Sequence, residues 1–268
     1  KTLRGLREKV VRQPKGVSVG ILRRELERGE EEMADDEAHE EVSKETIDMA
    51  TVLFDEISEE ERELLRDMRD WAGRYSARTD SKAKTLAKWL DEFLRPDGEW
   101  TDERVIIFTE YRATQKWLYT LLAAEGMVAG DRLMTLYGGM QTDEREKIKA
   151  AFQSDPRVSP VRILLATDAA SEGIDLQNWC YRLVHYEIPW NPNKLDQRNG
   201  RIDRHGQSGV EILDEDGNRK RVVLIHHFVG EGWNKNDADG KHSPGDLEGD
   251  LEFLMRAALK LERIRDDL

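Results

Sequence analysis

The sequence predicts an α/β lobe built on a parallel sheet with helices on both faces, preceded by an acidic helical extension. Short apolar runs alternate with helix-period segments from about residue 101 onward, the pattern of a parallel sheet covered by helices. The run VIIF at 105–108 is apolar throughout, as a strand buried on both faces must be. Upstream, acidic residues crowd positions 25–63, and the apolar residues from 43 to 71 keep helical spacing.

In chain order, Ile47, Ala50, Phe54 and Ile57 fall on one helical face, and Ser58 with Glu61 forms a capping box that opens a second helix. Asp80 or Ser81 can cap a third, whose Ala83, Leu86, Ala87, Leu90, Phe93 and Leu94 share an apolar face until Pro96-Asp97-Gly98 breaks it. Strands are then expected at 105–108, 133–137, 161–166 and 183–188. Helices are expected at 113–124, ended by Gly126, at 142–152 and at 193–204. Runs at 210–213 and 221–228 flank the turn signal Asp216-Gly217, which predicts an edge hairpin. Residues 230–249 read as loop, and Leu251, Leu254, Met255, Ala258 and Leu261 as a final amphipathic helix. The expected organisation is an extension over 1–79, the α/β lobe over 80–230, and a loop with a terminal helix over 231–268.

At 268 residues the chain can bury a sizeable core, although 36% of its residues are charged, so part of it is solvated helix. The single cysteine, Cys180, excludes an internal disulfide and a cysteine-cluster zinc site, and implies a reducing compartment, by default the cytoplasm. No run reaches the ~20 apolar residues of a membrane span, and the first residues lack a signal peptide's apolar stretch. The chain begins at a lysine and is expected to continue a longer protein. A net charge of −13 argues against nucleic acid at first sight, but the acid is concentrated upstream, above all in the run EEEMADDEAHEE at 30–41, which reads as solvated chain.

Ligands of such sheets gather at the carboxyl ends of the strands. Three loops there are unusual: Thr109-Glu110-Tyr111-Arg112, the stretch from Thr167 through Asp168 to Asp175, and Pro189-Trp190-Asn191-Pro192 leading into QRNGRIDRHGQ. Arg201 and Arg204 would share a helical face, with Gln197 and Arg198 one turn earlier, and two guanidinium groups so placed can grip a phosphate. In isolation such a pair is more often a salt-bridged surface.

The order of the motifs alters that balance. VIIFTEY, LYGGMQTDEREKIKAAF, ILLATDAASEGIDLQ and YEIPWNPNKLDQRNGRIDRHGQ resemble motifs IV, IVa, V and VI of superfamily 2 helicases. WNP followed by QRxGRxxRxGQ looks most like the Swi/Snf group, especially its bacterial RapA-like branch, with the antiphage helicases of DISARM systems as related candidates. The resemblance covers about residues 81–228 and implies the second RecA-like lobe of an ATP-driven motor. It implies that Arg201 and Arg204 reach the ATP phosphates, Arg204 as arginine finger, with Gln197, Gly173 and Asp175 near the nucleotide. It further implies that Thr109, Tyr111, Gly138, Gly139 and Thr167 lie along a nucleic-acid backbone. Asp175 stands where many Swi/Snf proteins have asparagine, and Asn199 and Asp203 vary the motif VI pattern.

No phosphate loop is present; Gly240-Lys241-His242-Ser243 lacks its first glycine and the hydroxyl after lysine. ATP and magnesium are therefore expected mainly on an upstream RecA-like lobe of the same protein, without which the chain should not hydrolyse ATP. The run TVLFDEIS at 51–58 imitates a Walker B strand but keeps helical period. His226 and His227, adjacent on a strand, face opposite sides, and no metal site is expected. Trp117 and Trp179 read as packing residues, and Trp190 as the tryptophan nearest the cleft. Duplex DNA is the expected polymer, with an RNA helicase lobe and a catalytically silent scaffold as competing readings.

Overall fold

A computed structural model describes residues 58–75, 78–168, 176–189, 192–204, 209–213 and 219–228. The helical pattern at 43–57 with most of the Walker-like run, the acidic run, and the loop and helix expected after 230 lie outside the described residues. The chain falls into two compact units, Lys1–Thr85 and Leu86–Leu268.

In the first unit, α1 (Glu59–Tyr75) opens on the expected capping box. The Ser58 N–H donates to Glu61 Oε2 at 2.8 Å, and the Glu61 N–H to Ser58 Oγ at 3.3 Å. The helix runs one turn past the expected Trp71, and Leu64, Leu65, Met68, Trp71 and Tyr75 all remain exposed. Asp80 begins α2 (Ser81–Leu94), its Oδ1 accepting the Ala83 N–H at 2.7 Å.

The second unit holds a parallel sheet of five strands, β1 (Val105–Thr109), β2 (Leu133–Leu136), β3 (Ile163–Thr167), β4 (Arg182–His185) and β7 (Leu224–His227), in the order β2-β3-β1-β4-β7. Alternation along β1 and β3 sends side chains into two cores, one on each face. Val105, Ile107, Ile163 and Leu165 join Leu86, Leu90 and Leu94 of α2 and Leu118 and Leu122 of α3 (Arg112–Ala124). Ile106, Phe108, Leu164 and Ala166 join Ile148 and Phe152 of α4 (Thr142–Gln153), together with Leu176, Cys180 and Ile202. A strand covered on both sides has no polar face to offer, hence the unbroken apolar runs. From β1 the chain crosses to the far edge through α3 and returns to β3 through α4. Right-handed crossovers in opposite directions lie on opposite faces, as these two helices do.

Local signals end the elements where expected. Gly98 (φ 83°) follows α2, and Gly126 (φ 74°) follows α3, where the Met127 N–H returns to the Leu122 carbonyl at 2.9 Å. The expected edge hairpin is only half right. β5 (Val210–Leu213) pairs antiparallel with β6 (Arg219–Val222), but the run expected from 221 to 228 breaks at Val223. Its second half leaves the hairpin as β7 and completes the main sheet beside β4. Val223 packs against the core, and the Leu224 N–H bonds the Tyr181 carbonyl at 2.7 Å, which commits the rest of the run to the new partner.

At the amino end of the sheet, two buried arginines hold the loop between α4 and β3. Arg104 donates to the carbonyls of Val161 (3.0 Å), Ser154 (2.6 Å) and Phe152. Arg162 donates to those of Thr101 (2.5 Å), Ser159 (2.8 Å) and Pro156 (2.9 Å) and pairs with Asp102 at 3.1 Å. Burial, then the neighbouring Arg162, pushes the Arg104 guanidinium down to about 10, so it stays charged at neutral pH. Replacing Arg104 by leucine strands several buried carbonyls and should cost about 3 kcal/mol, read as a lowered urea midpoint at unchanged slope.

Candidate functional site

The carboxyl ends of the strands bring together most of the residues singled out in the sequence. Thr109 and Thr167, at the ends of β1 and β3, are partners in the ladder, and both side chains are fully buried. Thr109 Oγ1 has no hydrogen-bond partner among the described residues. Tyr111 is exposed and precedes α3 as its cap residue, without a side-chain capping bond. Gly138 and Gly139 form the turn after β2, with Gly139 at φ 80°. The Arg112 guanidinium lies 3.4 Å over the Tyr137 ring, joining the loops after β1 and β2. Arg112 also donates to Gln115, whose own amide bonds the carbonyls of Leu136 (2.9 Å) and Leu165 (2.8 Å). Thus the candidate nucleic-acid residues lie at or just beyond the carboxyl ends of the adjacent strands β2, β3 and β1.

Of the candidate nucleotide residues, Gln197, Arg201 and Arg204 follow β4, whereas Gly173 and Asp175 belong to the segment between β3 and β4. Gln197 is exposed on α5 (Pro192–Asn199). The helix was expected to continue to 204, but it stops at Asn199, and Arg201 and Arg204 stand on tight turns instead of a helical face. Arg201 and Ile202 donate to the carbonyls three residues back, at 3.1 Å each, and the Arg201 carbonyl accepts the Leu176 N–H at 3.0 Å. That carbonyl is therefore committed to the end of motif V and not to a further helical turn. Arg204 is exposed, with Nε donating to the Gly200 carbonyl at 2.7 Å. Gly173, Asp175, Trp190 and His205 lie outside the described residues. Trp117 packs against the core as expected, whereas Trp179 is 41% exposed.

Arg198, which no motif reading singles out, organises this edge. Its side chain is 1% exposed and grips Asp168 with both arms, Nε to Oδ1 at 2.5 Å and Nη2 to Oδ2 at 2.8 Å. Nη1 donates to the Glu187 carbonyl at 2.8 Å, and the guanidinium lies 5.5 Å from the Phe108 ring centroid. One cation thus joins motif VI to the ends of β3, β4 and β1. Nothing in the sequence pairs residues 30 apart; only the topology does.

Glu187 departs from expectation too. The strand expected to reach 188 ends at His185, and the Glu187 carboxylate turns toward the loop after β1. It accepts the Glu110 N–H at 2.7 Å and the Thr114 hydroxyl at 2.9 Å. Glu110's own carboxyl is pushed up by burial, with Asp168 and Glu187 adding to the shift while Arg198 and Lys194 oppose it.

Three histidines line the β4–β7 edge. His185 Nε2 donates to Asn199 Oδ1 at 2.9 Å, leaving Nδ1 to accept from Arg198 at 3.4 Å. Its ring stacks on His227 at 4.9 Å, whereas His226 lies 4.6 Å from Trp89, so the adjacent pair does face opposite sides. Burial foremost, then Arg198 and His227, holds His185 well below the usual histidine range; burial, His226 and Arg198 bring His227 down to about 4.

This fold and this disposition of motifs define the C-terminal RecA-like lobe of a superfamily 2 helicase. Residues 84–206 match the helicase conserved C-terminal domain family. The ATP-dependent helicase YqhH of Bacillus subtilis, itself uncharacterised, is 41% identical over 106 residues, 40% of this chain and 17% of that protein. The RNA polymerase-associated protein RapA of Proteus mirabilis is 32% identical over 146 residues, 53% of this chain and 14% of that protein. The mitochondrial DEAD-box ATP-dependent RNA helicase 9 of Arabidopsis thaliana is 31% identical over 133 residues, 49% of this chain and 20% of that protein. The chain spans a fifth or less of the length of these relatives.

Two outcomes are expected. Replacing Asp168 by alanine leaves a buried guanidinium without its carboxylate and should cost about 3 kcal/mol of stability in urea unfolding. Because His185 and His227 are neutral when folded and bind protons more readily when unfolded, their contribution is complete above the ordinary histidine pKa. It should be lost as pH falls from about 6.5 toward 4, at up to about 1.4 kcal/mol per pH unit for each histidine. His227→Phe should flatten that slope in a series of unfolding curves across pH.

Proposed function

We propose that this lobe is the second half of an ATP-driven motor that translocates on duplex DNA and displaces bound protein. An upstream RecA-like lobe of the same protein would bind ATP and magnesium. Across the cleft between the lobes, Arg201 and Arg204 would meet the phosphates, with Arg204 stabilising charge on the transferring phosphoryl group. Gln197, Gly173 and Asp175 would line the nucleotide side. Thr109, Tyr111, Gly138, Gly139 and Thr167 would follow a nucleic-acid backbone, largely through main-chain N–H groups, which bind phosphate without reading sequence.

The observation that most supports this reading is the anchoring of motif VI. Buried Arg198 ties α5 to Asp168, while the turns that follow leave Arg204 exposed. A rigid base beneath an exposed guanidinium suits a group that must reach a phosphate on another lobe. The donor set of two arginines and a glutamine suits phosphate oxygens, and the carboxylates for a metal are left to the other lobe. The resemblance of the motifs to the Swi/Snf group favours duplex DNA; the DEAD-box relative, an ATP-dependent RNA helicase by name, keeps an RNA-dependent motor as the second reading.

The test is ATP turnover by the full-length protein with duplex DNA, with single-stranded RNA and with neither. Duplex DNA should stimulate turnover, Arg204→Ala should reduce it by about a thousandfold, and the present chain alone should be inactive. Turnover by this chain alone would overturn the half-motor reading. Stimulation by RNA and not by DNA would select the second.

A further inference from the structure

The sheet order places β1 and β4 side by side, and their onward connections leave in opposite directions, toward β3 and β2 from β1 and toward β7 from β4. The crevice between two such strands is where open α/β sheets gather function. In this lobe the crevice holds the carboxylate of Glu187.

The first turn of a helix has N–H groups without partners inside the helix, and its shape depends on what satisfies them. At α3 the side chain of the cap residue Tyr111 makes no capping bond. Glu187, from the neighbouring strand's end, does not take up those N–H groups but braces the entry to the helix, accepting from the Glu110 N–H just ahead of it and from the Thr114 hydroxyl in its first turn. The corner carrying Tyr111 and Arg112 is thus shaped from β4. The same residue's carbonyl is held by Arg198, the anchor of α5 and of the turns bearing Arg201 and Arg204. Side chain and main chain of one residue therefore bind the two halves of the site.

Resting on the motor reading above, we propose that Glu187 is a positioning residue that couples them: through it, the seating of motif VI sets the shape of the corner that meets the nucleic-acid backbone. A displacement of α5 acting on Arg198 shifts the Glu187 carbonyl, and the carboxylate carries that shift to the Glu110 N–H and Thr114. Glu187 touches neither ATP nor nucleic acid in this scheme. Its removal should be felt in how the motor responds to the polymer more than in hydrolysis without it.

The experiment measures ATP turnover by the full-length protein against increasing duplex DNA, with single-stranded RNA in parallel, for wild type, Glu187→Ala, Glu187→Gln and Thr114→Val. Glu187→Ala should raise the DNA concentration for half-maximal stimulation about tenfold, the loss of a charge-assisted bond, with turnover in the absence of DNA within about twofold of wild type. Thr114→Val should shift it in the same direction by less. Glu187→Gln should recover most of the response, because an amide oxygen still accepts the Glu110 N–H. Unchanged half-maximal concentrations in both Glu187→Ala and Thr114→Val would overturn the inference, as would an equal loss of turnover with and without DNA, the mark of a merely structural residue. If Glu187→Ala does not fold, Thr114→Val decides. A wild-type protein indifferent to both polymers would sink the motor reading itself, and the coupling with it.

Discussion

The pairing of Arg198 with Asp168 is the contact on which the arrangement of this lobe's working edge depends. A guanidinium is costly to bury, and here every arm has a partner: two oxygens of one carboxylate, a backbone carbonyl and a histidine nitrogen. Such pairs contribute less net stability than their geometry suggests, because both ions leave water. What the pair contributes is definition. Side chains drawn from the ends of three strands are held around one rigid planar group, and a group that accepts only one arrangement of partners selects one arrangement of loops.

Around that anchor, the labour is divided by topology. The ends of β2, β3 and β1 and the turns after them carry the residues assigned to a polymer backbone, and the connection after β4 carries Gln197, Arg201 and Arg204. The crossovers change direction between β1 and β4. Gln115 holds the ends of β2 and β3 together from above, and Glu187 closes the seam between β1 and β4. The loops are therefore fastened to the sheet and to each other by side chains whose bonds go mainly to the main chain, which leaves their outer surfaces free to differ in chemistry.

Much of this was legible in advance. The capping box at Ser58 and Glu61, the apolar runs of β1 and β3, the breaks at Gly98 and Gly126 and the motif order all express local chemistry, and the structure follows them. What was not legible depends on long-range partners. The end of α5 at Asn199 is fixed by Leu176 bonding the Arg201 carbonyl, and no periodicity in 193–204 reveals that. The end of β4 at His185 is fixed by a carboxylate reaching across to Glu110. The apolar run after 221 looks like one strand because both its halves are strands; only the demand of β4 for a neighbour divides it. Arg198 resembles its neighbours in the motif, and its burial follows from Asp168 standing 30 residues earlier in the chain.

The hairpin of β5 and β6 lies in sequence between the arginine turns and the strand that closes the sheet. Until residues 224–227 have left the ribosome and docked, β4 presents an unsatisfied edge, and the ring of His185 lacks the stacked neighbour that covers it. Every motif of the family is by then already synthesised. The lobe's chemistry is thus complete in the nascent chain before its architecture is, and a product truncated within the hairpin would carry all the motifs together with an open apolar edge of the kind that drives strand-to-strand association.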